Sequence, residues 1–312
     1  MEPLLLRPNY ISPVWSGRRV NEARGIEGDT LYGESFDVSV HEGLVNVVEG
    51  GPYDGTPLDE LIRDHRAEVM GDLSGEDGIV QVIVMDAGES LSVQVHPDEA
   101  YAREHESDHE KTESWYILGA EPGAFIYCGS TTDDVDALRA AAADDTIGER
   151  YCRKVPVQEG DFVLIPAGTI HALGAGVFAL EVGSLGFKTY RICDWGRGRE
   201  LHVEQGLDVL RTKSRPVPNH LGAFDPSAPA GVRRGVTHRL FVSDAIDVRG
   251  TWEQEMDGRY EVLSCVAGEA RVRTAEGVTE LPFTRSVLVP ACVGSYTIEG
   301  TCRVLRSYAT RS

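Results

Sequence analysis

The chain has 312 residues, 41% of them hydrophobic, and a formal net charge of −20. This describes a globular chain long enough for two ordinary domains, and its acidic excess argues against nucleic acid, which needs a basic face. No run of eighteen apolar residues occurs, and the start Met-Glu-Pro-Leu-Leu-Leu-Arg-Pro has neither the basic flank nor the cleavage site of a signal peptide, so no membrane span and a cytoplasmic location are expected.

Thirty-four glycines and many short Val-, Ile- and Tyr-containing runs favour strands over helices. In chain order, residues 32–40 alternate like a half-buried strand. Pro57-Leu-Asp-Glu-Leu-Ile-Arg opens a helix with acids in its first turn. Strands follow at 79–85 and 91–96, then a polar helix over 98–110. Further strands are expected at 114–118, 124–127, 161–165 and 177–182, with helices at 133–143 and 202–211. Residues 212–236, rich in proline and small residues, make the best linker. Beyond it only short strands are expected, at 239–242, 260–266, 269–273, 286–289, 295–298 and 302–308. The domain reading is therefore 1–211, a linker at 212–236, and 237–312.

Two spaced patterns and one short run carry chemistry. In Gly88-Glu-Ser-Leu-Ser-Val-Gln94-Val-His96, Gln94 and His96 sit two apart in an alternating strand and share a face. Gly160-Asp-Phe-Val-Leu-Ile-Pro-Ala-Gly-Thr-Ile-His171 is a buried strand that turns at Pro-x-Gly and delivers a histidine. Lys111-Thr-Glu113-Ser-Trp-Tyr adds a carboxylate at the mouth of another strand. Two imidazoles, one carboxylate and one amide oxygen suit a single zinc ion with positions open to substrate. With Glu113 the one anionic ligand, such a site stays net positive and suits a developing oxyanion. The six cysteines include no Cys-x-x-Cys pair and are read as reduced, small hydrophobes. His105, His109, His202, His220 and His238 lack a motif and are read as solvated or structural.

The C-terminal part looks like a degenerate repeat. Val289-Pro290-Ala291 corresponds to Ile165-Pro166-Ala167, which puts Ser295 in the place of His171 and Thr284 in that of Gly160. One metal site is expected, in the N-terminal half.

Both patterns are similar to those of the cupin superfamily. Four segments narrow the likeness: residues 91–98, Lys111-Thr-Glu-Ser-Trp-Tyr-Ile-Leu, Ile165-Pro-Ala-Gly-Thr-Ile-His-Ala-Leu, and Thr189-Tyr-Arg-Ile-Cys-Asp-Trp-Gly-Arg. Together they resemble the short bacterial form of the type I mannose-6-phosphate isomerase family. The resemblance implies a mainly β fold of two cupin (jelly-roll type) β-barrels, with helical insertions in the N-terminal half. It implies zinc ligands at Gln94, His96, Glu113 and His171, an active-site arginine at Arg191, an acid near the metal at Glu181, and substrate-lining residues at Lys111 and Ser92. Asp194 and Arg197 belong to the matching run around Arg191. The chain departs from the family pattern at Gly183, at Gly186-Phe187-Lys188 and at Ile83, where a lysine is usual.

The implied activity is a metal-dependent interconversion of mannose 6-phosphate and fructose 6-phosphate through an enediolate, with Arg191 and Glu181 as catalytic residues. Two alternatives stay open: a different cupin reaction, such as dioxygenation with iron or manganese, and a non-catalytic sugar-phosphate-binding regulator favoured by the departures. Oligomeric state is not legible.

Overall fold

The computed structural model describes residues 1–73 and 78–311. The protein is mainly β, and its strands form three antiparallel sheets. A seven-stranded sheet lies in the middle of the structure. Across it run Asn219–His220, Asp161–Ile165, Glu113–Ala120, Val177–Gly183, Gln81–Asp86, Glu34–Val38 and Asn9–Ile11. One of its faces packs on a five-stranded sheet of Tyr190–Cys193, Val93–Val95, His171–Leu173, Phe125–Ser130 and Cys152–Pro156. Ile83, Trp115, Ile117 and Val163 from the central sheet meet Val93, Val95, Ile126 and Ala172 from the outer one in a single core.

The other face of the central sheet, with Val82, Val84, Tyr116, Phe162 and Leu180, packs on Leu4, Phe241, Ala245, Val262 and Leu305 of an eight-stranded sheet. A sheet covered on both faces needs apolar residues at consecutive positions, not alternate ones. That is why all six residues of Gln81–Asp86 are buried. None of the three sheets closes on itself through backbone pairing, so the mainly β fold expected is built as packed open sheets, and the expected division into two jelly-roll barrels is not drawn by the backbone pairing.

The four helices the sequence placed are present with trimmed ends, and Arg19–Arg24, Arg66–Met70 and Ile147–Tyr151 are short helices it did not foresee. The helix expected over 98–110 is Glu99–His105, capped by the Asp98 side chain, which accepts the Tyr101 N–H. It stops early, and Ser107 takes the left-handed backbone conformation (φ 53°). The others are Leu58–Asp64, Val135–Ala143 and Val203–Val209. Among the described residues no helix is long and apolar enough to cross a membrane.

The C-terminal strands differ most from expectation. In place of short strands, Phe241–Glu255, Glu261–Arg273 and Ser295–Ala309 run 15, 13 and 15 residues. Gly268 and Gly300, which punctuate the sequence, sit at positive φ inside continuous ladders, and a bulge between Cys265 and Ala267 absorbs the irregularity. The stretch read as a linker is threaded into both neighbouring sheets: Asn219–His220 pairs with Asp161–Ile165, and Gly231–Thr237 pairs with Phe241–Glu255. Leu4–Arg7, from the N-terminus, pairs with Ser286–Val289.

The two halves carry parallel local geometry. The Gly160 N–H bonds the Ile117 carbonyl and the Asp161 N–H that of Gln158; Thr284 bonds Cys265 and Arg285 bonds Pro282 in the same pattern. Gly160 has φ 83° and Thr284 φ 69°. Glu113 lies opposite Ile165, and Glu261 lies opposite Val289. Glu261, however, is held by the Tyr296 hydroxyl at 2.6 Å and faces Arg306 at 3.8 Å.

A β-branched residue at positive φ is strained, and the buried Thr284 hydroxyl has no partner. Thr284→Gly is therefore expected to stabilise the fold by about 1 kcal/mol, a few degrees in melting temperature by calorimetry. No change, or a loss, would contradict that reading of the turn.

Candidate metal centre and substrate cleft

The strand register assembles the site. Across the five-stranded sheet, Arg191 pairs with Gln94, Gln94 with His171, and His171 with Cys128, so Arg191, Gln94 and His171 share one row. His96 follows two residues after Gln94. From the facing central sheet, Glu113 opens its strand between Ile165 and Gly183. His96, Glu113 and His171 are at most 1% exposed, and their ligand atoms lie within 4.8 Å of one another. Among the described residues this is the one such group of histidine, cysteine and acidic side chains.

Each imidazole is tied by its Nδ1. His171 Nδ1–H donates to the Thr169 carbonyl at 2.8 Å, and His96 Nδ1–H donates to the Lys188 carbonyl at 3.0 Å. That fixes both tautomers, leaving Nε2 with a lone pair. The two Nε2 atoms face Glu113 Oε2 and Oε1, each at 3.2 Å. Burial, with the positive Lys111 nearby, holds the His96 imidazole down at about 3, so that ring is neutral at pH 7. Glu113 is anionic: burial alone would raise its carboxyl, but the Lys111 ammonium holds it well below the usual range. At His96 a lone pair therefore faces a carboxylate. Both Nε2 atoms and Glu113 Oε1 are buried with no hydrogen-bond partner, and Glu113 Oε2 has the Lys111 ammonium at 3.2 Å. Buried polar groups are ordinarily satisfied. A divalent cation among them satisfies the unpartnered atoms, and two imidazoles with a carboxylate are a donor set that suits zinc.

Beside this group opens a cleft of about 540 Å³. Ser92, Gln94, Lys111, Glu181 and Arg191 all line it, with Trp15, Phe36 and Met85 as its apolar wall. Lys111 Nζ lies 3.2 Å from Glu113 Oε2 and 3.8 Å from Glu181 Oε1. Burial would lower the ammonium, but Glu113 and Glu181 outweigh it and push it up to about 12, so it stays protonated. Burial and the charge of Glu113 push Glu181 up to about 8, and its Oε2 accepts the Trp115 indole N–H at 3.4 Å. The Arg191 guanidinium donates to the Glu200 carbonyl at 2.9 Å, and its Nε is buried without a partner.

The departures from the family pattern also lie here. Ile83, Phe187 and Lys188 line the cleft, with Lys188 Nζ paired to Glu106 at 2.6 Å. At Gly183 an added Cβ would meet nothing closer than 3.5 Å, so no steric demand fixes that glycine. Arg197 instead bonds Glu89 and the Ser90 carbonyl, and the buried Asp194 holds Arg199.

Three cleft residues escaped the sequence reading: Glu34, Arg199 and His202. Burial pushes the Glu34 carboxyl up to about 7 despite Lys111 and Arg199. His202, read as solvated or structural, lines the cleft, and its Nδ1 accepts the Arg191 N–H at 3.3 Å.

Sandwiched sheets that deliver two histidines and a glutamate to one buried point, beside a polar cleft, define a cupin-type protein. The family model for the cupin domain of mannose-6-phosphate isomerase matches residues 236–309. The mannose-6-phosphate isomerase of Streptococcus mutans is 33% identical, covering 99% of this chain and 98% of that protein. ManA of Bacillus subtilis is 28% identical, covering 98% of this chain and 99% of its own length. The crystal structure of the Bacillus subtilis mannose 6-phosphate isomerase superimposes with a TM-score of 0.87 at 27% identity, covering 99% of this chain and all of that one. A mannose 6-phosphate isomerase bound with zinc and yttrium shares the fold, with a TM-score of 0.78 at 15% identity and full coverage of both chains. This chain belongs to the mannose-6-phosphate isomerase family.

Zinc binding should stabilise the fold. At about 100 times the dissociation constant, zinc is expected to add about 2.7 kcal/mol to unfolding, read by thermal melting, and a chelator should reverse it. His171→Ala should abolish the zinc-dependent gain. An equal gain in wild type and variant would rule out this site.

Proposed function

We infer that the protein is a metal-dependent aldose–ketose isomerase that interconverts mannose 6-phosphate and fructose 6-phosphate. Gln94, His96, Glu113 and His171 hold one zinc ion per chain. The observation that carries this reading is the convergence of buried ligand atoms on His96, Glu113 and His171, within 4.8 Å of one another, beside a cleft with Lys111, Glu181 and Arg191. The bound ion supplies a Lewis acid that polarises the open-chain sugar's carbonyl and neighbouring hydroxyl.

The protein's own residues then move one proton between C1 and C2. Glu181 takes it from one carbon at Oε1 and returns it to the other, which suits a carboxyl poised near neutrality. Lys111, held protonated, donates from Nζ to the oxygen that gains charge in the enediolate. Among the described residues Arg191 forms no ion pair with a carboxylate, and beyond its bond to the Glu200 carbonyl its guanidinium can meet an anionic substrate. Ser92 meets a sugar hydroxyl. In a chain of net charge −20, these cations and the metal offset the field that would repel a phosphate ester. The chemistry belongs to residues 1–211, and 237–312 read as a second copy of the motif in which Tyr296 and Arg306 serve Glu261 where a metal would otherwise be needed. The intervening 212–236 joins them.

The test couples fructose 6-phosphate formation to a redox readout, with zinc-loaded and metal-stripped protein. Arg191→Ala is expected to lower kcat/KM roughly 10²–10³-fold, the usual cost of one charge-stabilising donor. Wild-type turnover no higher than that of the variant would overturn the assignment. Catalysis by Glu181 requires its ionised form, so kcat/KM should rise as pH climbs through its titration. Lys111 lowers that titration, so Lys111→Met should move the ascending limb to higher pH; an unmoved limb would remove Glu181 from the role.

A further inference from the structure

We propose that Asp108 and Glu106, in the loop between the Glu99–His105 helix and the Glu113–Ala120 strand, form a clamp that aims His96 at the metal. The inference rests on His96 being a metal ligand. Its geometry starts from Asp108, whose Oδ2 accepts two backbone N–H groups, Phe187 at 3.0 Å and Lys188 at 2.8 Å. Its Oδ1 accepts the His109 N–H at 2.7 Å, so the carboxylate is itself fixed. Glu106 accepts the Tyr190 hydroxyl on Oε1 and pairs through Oε2 with Lys188 Nζ, both at 2.6 Å. Residues 187, 188 and 190 are thus gripped by four bonds. Within that grip lies the Lys188 carbonyl that takes the His96 Nδ1–H at 3.0 Å.

The clamp answers a structural need. Residues 184–189 connect two strands of different sheets without regular structure of their own, so nothing in a ladder fixes the Lys188 carbonyl. The segment is pressed onto the 106–110 loop instead. A Cβ at Gly186 would lie 2.3 Å from the His109 carbonyl oxygen, and the Gly186 N–H bonds the Glu110 carbonyl at 3.2 Å. Ser107 takes its left-handed conformation one residue before Asp108, a strain that persists only where the surroundings over-determine it. Phe187 closes the outside by stacking on His41, ring centroids 4.5 Å apart. Since a metal-bound imidazole depends on the acceptor at its other nitrogen for tautomer and direction, loosening that acceptor weakens the metal. Asp108 is a positioning residue: it acts through the Lys188 backbone and touches neither metal nor substrate.

The test is the zinc dissociation constant of the full-length protein, measured by chelator competition at fixed pH beside the melting temperature of the zinc-free form. Asp108→Ala is expected to weaken zinc binding roughly 10–100-fold, the usual cost of losing such a supporting contact, while the zinc-free protein keeps its fold. Asp108→Asn should fall between, about 3–10-fold weaker, since an amide oxygen still accepts both N–H groups without charge assistance. Zinc binding within about two-fold of wild type in both variants would overturn the clamp. Should Asp108→Ala fail to fold, Asp108→Asn decides by the same criterion. His96→Ala separates the two levels: if it binds zinc as tightly as wild type, the metal-ligand reading fails, whatever Asp108 does.

Discussion

The structure turns on an electrostatic conflict: two imidazole Nε2 atoms crowd one buried carboxylate, each at 3.2 Å. Had either ring been turned the other way, an N–H would meet Glu113 and the group would be an ordinary hydrogen-bonded cluster. The carbonyls of Thr169 and Lys188 forbid that by holding both Nδ1 protons. What is left cannot satisfy itself, and leaving such groups unpaired in a dry interior costs several kcal/mol. A cation resolves the conflict without moving an atom. The fold therefore specifies the metal through its backbone as much as through its ligands.

That arrangement needs rigidity from both sides. The central sheet is packed on one face by the five-stranded sheet and on the other by the C-terminal one, so Glu113 sits on a strand with almost no freedom. Packing of this density transmits small displacements instead of absorbing them. The C-terminal half contributes no ligand, yet it supplies half of that support. Arg303, buried between the layers, bonds Asp247, the Tyr116 hydroxyl and the Gly222 carbonyl, joining the C-terminal sheet to the central one and to the stretch between them.

Much of this was legible in the sequence, and the boundary has physical causes. The grouping of His96, Glu113 and His171 could be read because each sits in a short segment whose periodicity or turn chemistry fixes its direction locally. The strand Asp161–Ile165 was read to the residue for the same reason. Glu34, Arg199 and His202 escaped because Glu34 reaches the cleft from a distant strand of the central sheet, while Arg199 and His202 reach it from an irregular stretch folded back onto Asp194 and Arg191. The long C-terminal strands were broken too early at Gly268 and Gly300, since a glycine within a ladder and a glycine ending one look alike until the partner strand is known. Asp108 shows the same limit: its role lies in backbone groups about eighty residues away.

The most direct measurement is a zinc-loaded crystal examined by anomalous scattering at the zinc edge. The account predicts one peak per chain, about 2.0–2.1 Å from Nε2 of both His96 and His171 and within about 2.2 Å of a Glu113 oxygen. A peak elsewhere, or Nδ1 in place of Nε2 at the metal, would contradict it.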